Sequence, residues 1–265
     1  MSTWPNTRSA ALRRERERIT DLRRRRRSRL GTISGVAGEL LCTAAAIVAL
    51  YLLWSIVLYP VVATNAQRAV ALERSREWAS VATDAVTAAS VEIPVTATPQ
   101  PGEVFANLLV PRFGADFIRP IAEGTGADVL DDVDRGMGHY TDSQLPGELG
   151  NVAIASHRTA YGGALHLAHL LRVGDPIVLE TADGWYVYRY RDTQYVTADR
   201  VEVLAAVPDR PDANPRGRIL TMTTCNPFYS SAERLVAYAV FDSFTPRAAG
   251  PPAIVATVYE DAGLS

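Results

Sequence analysis

Residues 218–241 read RILTMTTCNPFYSSAERLVAYAVF, two runs of β-type residues on either side of a polar loop. The first run is rich in threonine and β-branched residues, the types that fit a pleated surface, and it ends at Cys225. Pro227 then stops the ladder, because proline has no N–H to donate to it. A second apolar run starts at Arg234. Paired as a hairpin, the two runs set a thiol at the end of one strand and a guanidinium near the start of the next, facing each other across the mouth of the loop. Thr223 and Thr224 alternate across the strand, so only one of them can border that site.

The same texture extends upstream to about residue 105. Further candidate strands are ANLLVPRF, NVAIAS, PIVLET, WYVYRYRDTQYV and RVEVLA, and several of them alternate. Asp183-Gly184 between two such runs is a hairpin signal, and Val173-Gly174-Asp175-Pro176 makes another turn. One stretch, GGALHLAHLLR (162–172), reads as helical. Seven or eight strands in about 140 residues predict a mainly β fold, a closed barrel or sandwich with short helices in its loops.

The N-terminal part differs in kind. Residues 1–30 hold eleven Arg against Glu15, Glu17 and Asp21, whereas the rest of the chain is acidic, with sixteen Arg against 26 Asp and Glu. After the Arg-rich tail, Leu40 to Val62 carries no charge. At about 1.5 Å per residue this segment reaches roughly 34 Å, enough to cross the hydrocarbon core of a bilayer. It is too long for the apolar part of a cleavable signal, so an uncleaved anchor is expected. The positive-inside rule then places residues 1–35 in the cytoplasm and the remainder outside. Beside such a span the Arg block is explained by topology and by anionic lipid, and no nucleic-acid partner is expected. Residues 65–90, Ala-rich with scattered charges, read as helix, and Pro94, Pro99 and Pro101 as an extended linker. The expected division is a tail (1–35), a transmembrane anchor (36–62), a stalk (63–104), a catalytic domain (105–247) and a C-terminal tail (248–265).

Only Cys42 and Cys225 are present, one in the span and one outside it, which excludes a disulfide framework. Cys42 reads as a small apolar filler and Cys225 as a reactive thiol. Of the four histidines, His157 follows the run NVAIAS and opens a loop containing Gly162 and Gly163, a rigid yet exposed place suited to a general acid or base. His166 and His169 have a spacing that could hold a metal, but no carboxylate or Cys matches it, so packing is preferred and no metal is expected. The acidic stretch DVLDDVD (128–134) reads as a solvated loop. Thiol, imidazole and guanidinium suffice for acyl transfer without a cofactor. The thiolate attacks a carbonyl, the imidazole moves protons, and the guanidinium stabilises an oxyanion or holds the substrate backbone.

TMTTC followed nine residues later by Arg234 resembles the T-L-x-T-C…R signature of the sortases, with Met222 in place of Leu. Ala155-Ser156-His157-Arg158 is similar to the setting of the family's histidine, and GMGHYTDSQLPGELGNVAIASHR (136–158) resembles the class E sortases of high-GC Gram-positive bacteria. The likeness covers about 105–245. It implies an eight-stranded sortase-type β-barrel and cleavage of a C-terminal sorting signal, LPxTG in most classes and LAxTG in class E, between Thr and Gly. It also implies Cys225 as nucleophile, His157 as proton carrier and Arg234 as oxyanion stabiliser, with Tyr140, Thr223 and Thr224 as candidate groove residues. The implied partners are secreted proteins bearing the signal, an amine of a peptidoglycan precursor and the cytoplasmic membrane. A different cysteine acyl transferase acting on peptidoglycan, or a surface binding module with an inert thiol, are the alternatives. The first is disfavoured by Pro227, where an L,D-transpeptidase motif carries Arg.

Overall fold

The computed structural model describes residues 7–82 and 93–264, and the chain divides into two compact units at Val57 and Leu58. The first unit is helical: α1 runs Thr7–Leu53 and a π-helical turn follows at Trp54–Leu58. The helical stretch from Gly35 is long and apolar enough to cross a membrane, and its most apolar part buries nothing. Leu40, Leu41, Ile47, Leu50 and Ile56 are all exposed. A helix that is apolar all round and unburied fits a bilayer and not a protein core.

The second unit is a closed barrel of eight strands. They are β1 (Val104–Leu109), β2 (Ile118–Glu123), β3 (Met137–His139), β4 (Gly150–Ser156), β5 (Pro176–Glu180), β6 (Gly184–Thr197), β7 (Arg218–Asn226) and β8 (Glu233–Pro246). The order around the barrel is β1-β2-β3-β4-β7-β8-β6-β5, with β5 returning to β1. Leu108, Ile121, Met137, Ile154, Tyr186, Leu220, Met222 and Leu235 fill the interior. A second apolar layer lies outside: Leu109, Ile118, Val178, Trp185 and Val187 are covered by Ala71, Leu72, Val255, Val258 and Tyr259. Burial on both faces makes β1 and β2 continuous buried runs and not alternating ones.

Six of the seven candidate strands form. RVEVLA does not: Val201–Leu204 is a 3₁₀ turn in the long β6–β7 connection, with its carbonyls at Val203 and Ala205 taken by the Asn151 amide. β2 and β3 complete the eight. Pro120 sits inside β2, where proline is normally excluded, but β3 pairs with β2 only at Ala122 and Glu123, so no ladder on that side requires its N–H. The stretch 162–172, expected to be helical, contains only a 3₁₀ turn at Ala168–Leu170.

Helix α2 (Tyr59–Ala82) forms over most of the stretch expected to be helical, and residues 83–92 lie outside the described residues. It does not stand clear of the barrel as a stalk. Ala63, Gln67, Ala71 and Ser75, spaced by one helical turn, are buried on one face. The Asn107 amide donates to the Ala71 carbonyl, and the Ser75 hydroxyl donates to Glu180. The proline-rich segment is likewise laid on the barrel. Thr96 N–H donates to Pro146 O at 2.9 Å, and the Tyr186 hydroxyl donates to Pro94 O at 2.8 Å. In the C-terminal tail, a short helix, Ala256–Glu260, packs Val258 and Tyr259 on the outer apolar layer.

Candidate active site

Strand β7 alternates strictly at its end. Leu220 and Met222 point into the barrel core, so Thr221, Thr223 and Cys225 share the opposite face. Thr224 belongs to the inner face, and its hydroxyl donates to the Ser156 carbonyl at 2.8 Å. Of the two threonines, Thr223 therefore borders the thiol. Its hydroxyl lies 3.0 Å from the Tyr140 hydroxyl and donates to Ile154 O.

Cys225 is partly exposed and is the antiparallel register partner of Arg234. Side chains directly opposite in such a pair lie on one face with Cβ atoms about 4.5–5.5 Å apart. The Arg234 guanidinium is fixed from one side, its Nη1 donating to Ser231 O at 2.9 Å and Glu233 O at 3.0 Å. Its Nε and Nη2 have no acceptor among the described residues. The loop mouth is closed by Asn226, whose amide donates to Glu233 Oε2 at 2.9 Å.

His157 reaches this end of β7 from the other side. β4 and β7 run parallel with Ala155 paired to Thr223 as the last pair, and His157 follows directly on the end of β4 at Ser156. The next residue confirms the proximity of the two segments. Arg158 Nη1 donates to Cys225 O at 3.3 Å and to Asn226 Oδ1 at 2.5 Å, and its guanidinium stacks 4.1 Å over the Phe228 ring. His166 and His169 pack against the same ring, with centroids 4.9 and 5.5 Å away, which accounts for both as packing residues. His139 is buried, with Nδ1 on Glu123 at 2.8 Å and Nε2 beside Ser143 Oγ and Gln144 O. Both of its nitrogens are engaged inside the fold, which removes it from the catalytic candidates.

The structure thus sets Cys225 opposite Arg234 and His157 just past the end of β4, the strand paired with β7, with Thr223 and its partner Tyr140 on the face of the thiol and Thr224 turned inward. Three neighbours lacked a role at the level of sequence. Asp131, in the acidic stretch, has Oδ1 2.6 Å from His157 Nε2. Tyr161 lays its ring 5.2 Å from the His157 ring. Arg158 holds the carbonyl of Cys225. Only Arg158 carried a signal, its adjacency to His157. Among the described residues no cluster of three or more His, Cys, Asp or Glu is arranged to hold a metal.

A sortase-domain family model matches residues 108–242. Sortase SrtE2 of Streptomyces coelicolor is 34% identical over 223 residues, 81% of this chain and 85% of the relative. Sortase SrtE1 of the same organism is 36% identical over 160 residues, 58% of this chain, and the match spans 44% of that relative's length. Its solved structure, with a tripeptide in the active site, superposes with a TM-score of 0.54 at 34% identity, covering 60% of this chain and 99% of that one. The SrtA sortase from Actinomyces oris gives a TM-score of 0.59 at 38% identity, covering 64% of this chain and 96% of that one.

Proposed function

The chain belongs to the sortase family of cysteine transpeptidases, in its class E branch, and from that premise we propose that it cleaves a C-terminal sorting signal of the LAxTG or LPxTG type between Thr and Gly and transfers the protein to a cell-wall amine. The observation that supports it is the placing of Cys225 opposite Arg234 on β7–β8, with Arg158, the neighbour of His157, donating to the Cys225 carbonyl.

The Cys225 thiolate attacks the carbonyl carbon of the signal's threonine, and the carbonyl oxygen becomes an oxyanion. Arg234, always charged and with Nε and Nη2 uncommitted, donates to that oxygen. His157 as imidazolium protonates the glycine nitrogen, the C–N bond breaks, and a thioester remains. An incoming amine, that of a peptidoglycan precursor, then attacks the thioester. Neutral His157 takes the amine's proton, and the thiolate leaves. Tyr140 and Thr223, on the face of Cys225, border the groove. Thr224 acts from the inner face by tying β7 to Ser156. The apolar span anchors the enzyme in the membrane with the Arg tail cytoplasmic and the barrel outside, where secreted clients and wall precursors are met.

The test is cleavage of a quenched-fluorescence LAETG peptide by the full chain in detergent, with the thioester trapped by mass spectrometry. Cys225→Ala and His157→Ala are expected to fold and lose turnover. Undiminished cleavage by Cys225→Ala sinks the proposal.

A further inference from the structure

Two loops meet at His157, and one helix side chain lies between them. The first loop follows α3 (Ala127–Leu130) and carries Asp131, whose carboxylate is 2.6 Å from His157 Nε2. The second is the His157 loop itself, which carries Tyr161. Tyr161 holds a backbone φ of +48°, a left-handed conformation that a bulky residue adopts only when its surroundings impose it. The constraint is visible. The Gln67 amide of α2 is fully buried and donates to Tyr161 O at 2.8 Å, and Tyr59 of the same helix meets the Tyr161 ring edge-on with centroids 6.1 Å apart. The first loop is fitted to the same amide. A Cβ at Gly136 or at Gly162 would run into the Gln67 side chain, and both glycines have positive φ. Ser156 Oγ, next to His157, donates to Gly136 O at 2.7 Å and joins the loops a second time. Gln67 does this while its own Oε1 stays buried without a partner, a cost that packing by an apolar side chain would avoid.

We propose that Asp131 and Tyr161 are positioning residues for His157, braced by Gln67, so that the helix between the apolar span and the barrel belongs to the catalytic apparatus. With Nε2–H donating to Asp131, the ring is held in one tautomer and orientation, and Nδ1 is the nitrogen that exchanges protons with the leaving and entering amines. Tyr161 covers the ring and keeps it from swinging off the carboxylate. The inference rests on His157 being the proton carrier of the proposed reaction.

The experiment measures kcat and KM of the full chain in detergent on the LAETG peptide, together with Tm. Asp131→Asn is expected to lower kcat about 10- to 100-fold with KM and Tm unchanged, and Asp131→Glu to recover most of it. Tyr161→Gly, which accepts the backbone angle without strain, is expected to keep Tm and lose kcat. Gln67→Leu, assayed well below its Tm, is expected to lose about 2- to 10-fold in kcat. Unchanged kcat in Asp131→Asn and Tyr161→Gly, with His157→Ala inactive, overturns this inference alone. Full turnover in His157→Ala overturns the catalytic reading beneath it as well.

Discussion

Cys225 and Arg234 are opposite members of one antiparallel pair, held at the loop end of the β7–β8 hairpin. The pairing fixes the two Cβ atoms relative to each other through backbone geometry, and the Ser231 and Glu233 carbonyls orient the guanidinium. Loop carbonyls hold only Nη1, which leaves two nitrogens to meet an oxyanion. Arg234→Ala is expected to lower kcat/KM on the sorting peptide by about 10²–10³-fold. Arg234→Lys is expected to fall between, since it keeps the charge and loses the planar fork. Equal activity of Ala and wild type in steady-state assays would remove Arg234 from the mechanism.

The Tyr140 and Thr223 hydroxyls form a directed chain. Thr223 donates to Ile154 O, so its oxygen accepts from Tyr140, and the Tyr140 oxygen is free to accept from a peptide N–H. Tyr140→Phe and Thr223→Val are each expected to lower kcat/KM by about 2- to 10-fold. The double variant should be no worse than Tyr140→Phe. Strictly additive losses would show that the two residues act separately.

The site was more legible in the sequence than parts of the barrel. Cys225 and Arg234 lie on strands whose threonine and aliphatic content marks them as β, and His157 ends a run just as plainly marked. β2 was hidden because Pro120 interrupts it, and β3 because three residues in a glycine-rich loop show no period. Asp131 was invisible for a different reason. It pairs with a residue 26 positions away, and its acidic neighbours give the composition of a solvated loop. The face of α2 that meets the barrel is lined by Ala63, Gln67, Ala71 and Ser75, small or polar residues that read as a solvated helix until Asn107, Glu180 and Tyr161 are seen to receive them.

The two cysteines make the membrane orientation measurable. Cys42 is on the apolar helix and Cys225 on the barrel. A membrane-impermeant maleimide is expected to label intact protoplasts expressing the full chain, and Cys225→Ala to abolish the labelling. Labelling that appears only after permeabilisation would place the barrel inside and reverse the orientation read from the Arg-rich tail.

Glu180 is fully buried where α2, β1 and the end of β8 converge. Its Oε2 accepts from Ser75 at 2.6 Å and Asn107 at 2.9 Å, and its Oε1 from Arg247 Nη2 at 3.0 Å. The Arg247 side chain is largely covered, donates also to the Ala182 and Thr181 carbonyls, and stacks 4.6 Å over Trp185. Burial first, and the Glu180 charge second, push the Tyr259 phenol upward, so it stays a neutral partner for the Trp185 N–H. Removing the carboxylate leaves a guanidinium buried without its counter-charge, which costs about 3–5 kcal/mol. Glu180→Ala is therefore expected to lower Tm by about 6–20 °C. Because the hydrogen bond from Ser75 of α2 to β5 is lost in the same variant, amides of α2 should exchange faster with solvent than those of β7. A Tm shift under about 2 °C would mean that water reaches Arg247 once the carboxylate is gone. In that case the contact would not be what holds α2 to the barrel.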